Sequence, residues 1–421
     1  PVCINTPAFV LTGGAPAGGT WSGTGVTGNM FDPAVAGIGT VIITYSHIDV
    51  NGCSSSDSKP LTVNPLPSSA GAITGTSILC QGATGMYSVP GILNATTYNW
   101  NLMPPTAGTI TGSNSSISIS FSAAFTGIAT LNVAGFNGCG PGNISPDFSI
   151  TVNEKPVVSY THCTDSVTTF NAKPFALKGG LPLGGTYSGP GASAGIFNPA
   201  VAGTGNKTIL YTYTNTWGCT SMISKTITVV NAPLFSCGSF YKDVRDNRNY
   251  LTIQIGSQCW MAENLNYGIQ ITSNNNQRDN CIPEKFCYAE NAGNCTSGGG
   301  LYEWDELMTY STTAGSQGLC PPAWHIPTEA EWNLLYSNFI NNGFAASALK
   351  YSGFSGFNSL ISGTEHANKT FDYNGFGSFH WSSTVHGDQK AWAHGMNDPD
   401  PSVSFYPSNR NHAFSVRCVK N

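Results

Sequence analysis

The sequence predicts a multidomain protein, three consecutive all-β sandwiches followed by one larger α+β domain. Three observations predict it. Gly (49) and Pro (25) punctuate short alternating apolar runs while charged residues make up only 9%, the pattern of strands joined by tight turns. A segment of the first repeat recurs later in the chain almost without gaps. Past residue 231 tryptophan becomes frequent, charge rises and helical spacing appears for the first time. A chain of 421 residues holds three to four domains at about 100–150 residues each. The boundaries fall at 1–65, 66–154, 155–231 and 232–421, marked by the short Pro linkers Asn64–Pro67, Asn153–Pro156 and Asn231–Pro233.

The repeat links residues 7–53 with 174–219. Each copy has an apolar strand, GG-x-P-x-GG, an aromatic (Trp21, Tyr187), SG-x-G, F-[DN]-PAVAG, a strand ending at Tyr45 or Tyr213, and a Gly-Cys pair. Val41, Ile43 and Tyr45 alternate, as do Ile209, Tyr211 and Tyr213, which is the period-2 signature of a half-buried strand. A further alternating strand closes each unit, at 61–63 and 227–229. The third unit has 17 residues between Pro156 and Pro174, including a strand-like Val157–Tyr160, where the first has six before Pro7. The first sandwich is therefore expected to lack its first strand, an opening for strand addition from an upstream segment or another protein. The start at Pro1 reads as a processed chain or a piece of a longer one.

The middle unit is expected to form strands at 85–89, 97–102, 116–121, 128–134 and 147–152, with Trp100 in its core. In the last domain, Thr328 and Glu331 spell a capping box ahead of Trp332, Leu335 and Phe339 at helical spacing. A shorter helix is expected over Glu303–Tyr310.

Charge excludes some functions. Residues 1–231 balance six acids with six lysines, and the whole chain carries −5. No basic patch exists, so nucleic acid is not the partner. No apolar run is long enough to span a bilayer as a helix. Thirteen cysteines, whose spacing recurs with the repeats and matches no paired zinc pattern, place the chain in an oxidising, extracellular compartment.

The repeats resemble the immunoglobulin-like (first and third) and PKD-like (middle, through Tyr98-Asn99-Trp100) modules of bacterial surface adhesins. The last domain carries Asp243-Val-Arg-Asp246, Tyr250, 255–265 (IGSQCWMAENL), Cys287-Tyr288, Cys295, 300–304 (GLYEW), 320–332 (CPPAWHIPTEAEW), Trp381-Ser-Ser-Thr384 and 414–419 (FSVRCV). On these motifs it resembles the Fibrobacter succinogenes major paralogous (FISUMP) domain. That resemblance implies a fold akin to C-type-lectin-like and formylglycine-generating-enzyme-like domains.

One bridge per sandwich is the natural pairing: Cys3–Cys53, Cys80–Cys139 and Cys163–Cys219, each closing roughly 50–60 residues and adding about 4 kcal/mol. In the last domain Cys287–Cys295 closes a short loop, Cys237–Cys259 is plausible, and Cys320–Cys418 matches the long-range bridge the lectin-like resemblance implies. Cys281 is left over, either a buried thiol or one end of an intermolecular bridge.

The reading of function is a non-enzymatic surface adhesin or fibre protein, a sandwich stalk presenting a lectin-like domain to a glycan or protein. A structural filament subunit, self-associating through strand addition or end-to-end contacts, and a polysaccharide-binding accessory module are the alternatives. The ligand surface is expected between Trp381 and Asn411, with Trp392, Asn397, Asp398, Asp400, Tyr406 and Asn409 as its residues. The oxygens of Asn397-Asp-Pro-Asp-Pro401 are of the kind that take calcium, but no Glu-Pro-Asn or Gln-Pro-Asp triplet accompanies them; no other cofactor and no metal is expected. His380, His386, His394 and His412 have no compact ligand spacing. Gly23–Gly28 is formally G-x-G-x-x-G, but no helix pattern follows, so these are turn glycines. Neighbouring Glu303, Asp305 and Glu306 read as a solvated helix face, and no Gly-x-Ser-x-Gly elbow exists. Asp165-Ser166-Val167 resembles the Asp-Ser/Thr-aliphatic site that such bacteria glycosylate, at Ser166.

Overall fold

The computed structural model describes residues 1–161, 165–339, 345–351 and 353–421. The protein is multidomain and mostly β, and its chain divides into two compact units, 1–156 with 214–220, and 157–213 with 221–421.

In the first sandwich, Val2–Cys3, Ser54–Asn64, Gly39–Ile48 and Thr20–Ser22 form one sheet in that order, facing Phe9–Val10, Met30–Phe31 and Val26–Thr27. Alternation in the long strand turns Ile43 inward with Phe31 and Val63, while Ile42 faces out. The F-[DN]-PAVAG signature is a single capped helical turn. Asp32 Oδ1 accepts from Ala34 N (2.9 Å) and Val35 N (3.4 Å), with Pro33 supplying a preset φ at the first helical position. Asn198 caps Pro199–Ala202 in the third repeat the same way. The paired glycines wrap a tyrosine. Tyr45 Oη accepts from Gly19 N (2.7 Å) and donates to the Pro16 carbonyl (2.6 Å). A Cβ on Gly14 would sit 2.4 Å from that ring. Tyr211 is held identically by Gly185 and Pro182.

The expectation about the first strand divides. The edge beside Ser54–Asn64 is occupied, because Val2–Cys3 pairs in parallel with Val63–Asn64, as Val167–Thr169 does with Thr228–Val230. The third sandwich has in addition Ser159–Tyr160, paired with Gly180–Leu181, which lays Tyr160 against Tyr187 and Tyr211 at 5.4 and 6.2 Å. Among the described residues the first sandwich has no counterpart to it, and Tyr45 stays half-exposed where the equivalent Tyr211 is buried.

The middle sandwich packs Gly108–Thr111, Ser116–Phe121, Thr84–Ser88 and Thr74–Gly75 against Thr97–Met103, Gly127–Asn137, Phe148–Asn153 and Ile78–Cys80. Trp100, Tyr87, Ile119 and Leu131 are in its core, and Trp100 Nε1 donates to Asn114 O at 2.8 Å.

The last domain has two larger sheets besides the short pair Ile269–Gln270 and Glu284–Lys285, one of them made of Phe240–Lys242, Asn249–Ile255, Gln258–Met261, Val419–Lys420 and Trp324–His325. The other runs from Tyr302–Glu303 through Ala413–Phe414, Ser362–Glu365, Gly377–Val385 and Lys390–Asn397 to Ser404–Asn409. The helix Glu329–Ser337 opens with both halves of the capping box and buries Trp332 and Leu335. The second expected helix is shorter than 303–310. It covers Trp304–Leu307 only, because Thr309 and Tyr310 take positive φ (50° and 58°), which stops an α-helix of L-residues. Two of the three acids there are not on a solvated face, since Glu306 is 4% exposed and Glu303 9%, whereas the Asp305 side chain is 44% exposed.

The sandwich bridges are not one per sandwich. Cys3 bonds Cys139 and Cys80 bonds Cys219. Cys3 lies opposite Asn64, whereas Cys53 precedes the other end of the 11-residue strand Ser54–Asn64. The two are about 33 Å apart at ~3.3 Å per residue, far outside disulfide reach. Cys80 lies opposite Asn153, and Gly127 opposite Val152, so Cys139 sits a similar distance away at the far end of Gly127–Asn137. Cys53 is free and exposed. Cys219 is taken by Cys80, and Cys163 lies outside the described residues. Cys281 is disulfide-bonded, not a leftover thiol. Cys237–Cys259, Cys287–Cys295 and Cys320–Cys418 are closed.

Candidate functional site

The residues expected to bind ligand do not converge. The strands Lys390–Asn397 and Ser404–Asn409 form a hairpin, with Asn397, Asp398 and Asp400 at its turn. Asn409 pairs with Lys390 at the other end, about 23 Å away at ~3.3 Å per residue. Trp392 pairs with Pro407, and Tyr406 with Ala393, one position along, so the two rings point to opposite faces. Tyr406 packs on the domain core, and Trp392 against His386 at 5.0 Å.

The carbonyls of the calcium-like turn already hold a cation. Lys350 Nζ donates to Asn397 O and to Asp400 O, and lies 3.6 Å from Asp398 Oδ1. Asp400 Oδ1 is occupied by Ser402 N (2.8 Å) and Ser402 Oγ (2.7 Å). The late histidines are scattered: His380 and His394 are buried and stack on Trp332 at 5.7 and 4.7 Å, while His412 meets Ser408. No cluster of three or more His, Cys, Asp or Glu suited to a metal exists among the described residues. Ser359 Oγ contacts His380 Nε2 at 2.8 Å, but both residues are fully buried, out of reach of a substrate.

Several residues of the quoted motifs hold the domain together. Trp304 Nε1 donates to Ser382 O and Trp381 Nε1 to Tyr302 O, both at 2.8 Å. Buried Arg417 donates to Asn264 Oδ1 and to the carbonyls of Met261, Phe357 and Asn358, neutralising acceptors that burial would otherwise leave unpaired.

The site that sequence reasoning missed is a cleft of about 680 Å³ within the second unit. One wall comes from Asp165–Thr168 and Lys173–Lys178 of the third sandwich; the other from Arg278–Pro283, Glu306 and the loop Thr309–Leu319. An ion-pair clamp joins the walls. Fully buried Arg245 forks onto Asp243 (2.7 Å) and reaches Asp165 Oδ2 (3.1 Å). Its guanidinium lies over the Tyr267 ring (3.8 Å), and Tyr267 Oη donates to Asp165 Oδ1 (2.6 Å). Both Asp165 oxygens are thus engaged, while the neighbouring Ser166 is exposed on the cleft wall. Lys178 Nζ donates to Thr309 O (2.8 Å) and Lys173 Nζ to Gly315 O (3.4 Å). Burial pushes the Glu306 carboxyl up to about 7. Ser316 Oγ and Gln317 Oε1, from cleft-lining residues, have no hydrogen-bond partner. Ammonium, guanidinium, carboxyl and amide groups here surround a partly apolar floor, a composition suited to a polar, hydroxyl-bearing ligand. The Asp-x-Arg motif was visible in the sequence; that its arginine grips Asp165, 80 residues earlier, was not.

Among solved structures, the chain is similar to the mouse nectin-like molecule 4 ectodomain (17% identity, 34% of this chain and 52% of that one, TM-score 0.18). It is also similar to a Bacteroides ovatus mixed-linkage glucan utilization locus protein, SGBP-B, in complex with a mixed-linkage heptasaccharide (13%, 55% and 65%, 0.15). A third is a Ca2+-stabilized adhesin of an Antarctic bacterium that binds ice (15%, 60% and 75%, 0.26). The chain thus spans about half the length of the first and under two thirds of the second. No curated protein matches the chain. Residues 66–150 match the PKD-like domain family and residues 253–420 the Fibrobacter succinogenes major domain family. Over these two segments the chain is similar to a PKD-like domain and, after it, to a Fibrobacter succinogenes major domain.

Proposed function

We propose that this protein is a non-catalytic, extracellular surface-binding protein in which covalently joined sandwiches carry a lectin-like C-terminal domain that binds a glycan or protein. The observation that carries the reading is the cleft beside Glu306 and Gln317, with its unpartnered polar atoms and its two lysines. The disulfides support the compartment: bonds closing 136 and 139 residues persist only where the surroundings are oxidising. No helix among the described residues is long and apolar enough to cross a membrane. Aromatic Phe405, exposed on the hairpin of Lys390–Asn397 and Ser404–Asn409, offers a separate contact for a sugar face.

The test is a glycan array probed with the labelled chain, followed by Gln317→Ala and Lys178→Ala. The expectation is binding to a restricted set of glycans, weakened at least about tenfold by Gln317→Ala, the loss of one or two buried polar contacts. Binding untouched by both variants would place the ligand elsewhere. A folded chain that binds neither glycans nor cell surfaces would overturn the reading.

A further inference from the structure

Three hairpin turns in the sandwiches end in Gly-Cys, at Cys53, Cys139 and Cys219. All three share one bond, the cysteine N–H donating to an Asx oxygen at the start of the turn: four residues back from Cys53 to Asp49 Oδ1 (2.8 Å) and from Cys219 to Asn215 Oδ1 (3.0 Å), and two residues back, in a tighter hairpin, from Cys139 to Asn137 Oδ1 (2.8 Å). The first and third match bond for bond. Asp49 N donates to Cys53 O and Asn215 N to Cys219 O, each at 3.0 Å, and Gly52 and Gly218 take φ of 81° and 78°.

Two of these turns are docked. Cys139 is bonded to Cys3, which lies opposite Asn64 at the end of the first sandwich's last strand. Cys219 is bonded to Cys80, opposite Asn153 at the equivalent place in the second. The surroundings repeat as well. Cys139 Sγ lies 3.8 Å from Asn64 O and Cys219 Sγ 3.9 Å from Asn153 O. Asn137 Nδ2 donates to Pro65 O and Asn215 Nδ2 to Glu154 O, both at 2.9 Å. Each turn therefore fastens onto the exit strand of the sandwich before it. Cys53 occupies the same place in the same turn, yet its thiol is free and exposed.

We propose that Cys53 is the docking point for another sandwich of this repeat type, which supplies a cysteine at the position of Cys3 and Cys80 and forms the same bridge. A second copy of this chain cannot supply it. Cys3 and Cys80 are already bonded, and the third sandwich has Thr169 there, pairing with Val230. The partner sandwich precedes the first one on the same polypeptide or belongs to a different polypeptide. Asp49 keeps the turn but has no amide to donate to a linker carbonyl, so the sulfur bridge carries this joint. The half-exposed Tyr45 agrees: in the third sandwich the segment arriving from the preceding sandwich lays Tyr160 against the equivalent Tyr211, which is buried. Chemically, the Cys53 thiol and the partner thiol each give up a proton and an electron to an extracytoplasmic disulfide oxidant. Its S–S bond is reduced to two thiols as the new S–S bond forms by exchange.

The test uses protein taken from its native surface in N-ethylmaleimide, digested with pepsin at low pH without reduction, and sequenced by mass spectrometry. The expected result is the Cys53 peptide linked to a peptide holding none of this chain's thirteen cysteines. Electrophoresis with and without reductant assigns the source: a large drop in mass on reduction means a separate polypeptide, and none means an upstream sandwich. Recovery of Cys53 as the N-ethylmaleimide adduct, as a small-thiol mixed disulfide, or linked to Cys53 of a second copy would overturn the proposal.

Discussion

Glu365 should make the last domain lose stability as pH rises. It closes the strand Ser362–Glu365, is 1% exposed, and neither carboxyl oxygen has a hydrogen-bond partner. Its nearest cation, Lys369 Nζ at 3.8 Å, is already held by Glu303 at 2.9 Å. Burial, opposed by Lys369 and reinforced by Glu303 and Glu290, pushes its pKa from 4.5 up to about 8. A raised acid binds its proton more tightly when folded, so its contribution is complete below pH 4.5 and is lost as pH climbs through about 8. At ~1.4 kcal/mol per pH unit the full effect approaches 5 kcal/mol, and partial water access reduces it to roughly 2–4 kcal/mol. Glu365→Gln keeps the shape and removes the ionisation. The variant should lie within about 1 kcal/mol of the parent at pH 5 and exceed it by roughly 2–4 kcal/mol at pH 8.5. Urea unfolding of the full chain at both pH values, followed by tryptophan fluorescence, reads this out, since Trp260, Trp304, Trp324, Trp332 and Trp381 are all buried in this domain. Glu306, also raised, acts equally in both proteins and cancels in the difference. Parallel pH profiles, or a Gln variant less stable at pH 8.5, would refute the reasoning.

Arg245→Ala should cost about 3–5 kcal/mol, because it strands the buried carboxylate of Asp243 and releases Asp165; thermal unfolding in calorimetry checks it. Tyr211→Phe should destabilise the third sandwich by about 1–2 kcal/mol, and Tyr45→Phe the first by less, because Tyr211 is fully buried and Tyr45 is not; chemical denaturation of each variant gives the comparison. Chelation by EDTA should leave the melting of the last domain unchanged, because the Lys350 ammonium already holds the turn carbonyls; a calcium-dependent gain of several degrees would contradict that assignment.

Local order was written in the chain. The alternation of Val41, Ile43 and Tyr45 set strand faces and Thr328 with Glu331 placed a helix start; the caps that Asp32 and Asn198 make are equally local, though the sequence showed them only as part of a repeat. Each depends on residues within four positions of one another, so periodicity and capping suffice to read them. The GG-x-P-x-GG repeat was equally visible, though its purpose, wrapping Tyr45 and Tyr211, needs a ring some 26 residues away. Cysteine spacing likewise pointed to an oxidising compartment, but the one-per-sandwich pairing it suggested gave Cys3, Cys80 and Cys219 the wrong partners.

Those partners were decided in three dimensions. A strand of 11 residues carries Cys53 about 33 Å from Cys3 while the next sandwich brings Cys139 within bonding distance, and sequence separation contains neither fact. The same holds for the binding hairpin, where one step of register put Trp392 and Tyr406 on opposite faces. It holds again for the cleft, whose walls lie 100 or more residues apart in sequence and meet through Asp165 and Arg245. Composition and period determine which residues are buried and in what kind of element. Which elements then touch depends on packing among distant segments, and that alone placed the bridges and the cleft.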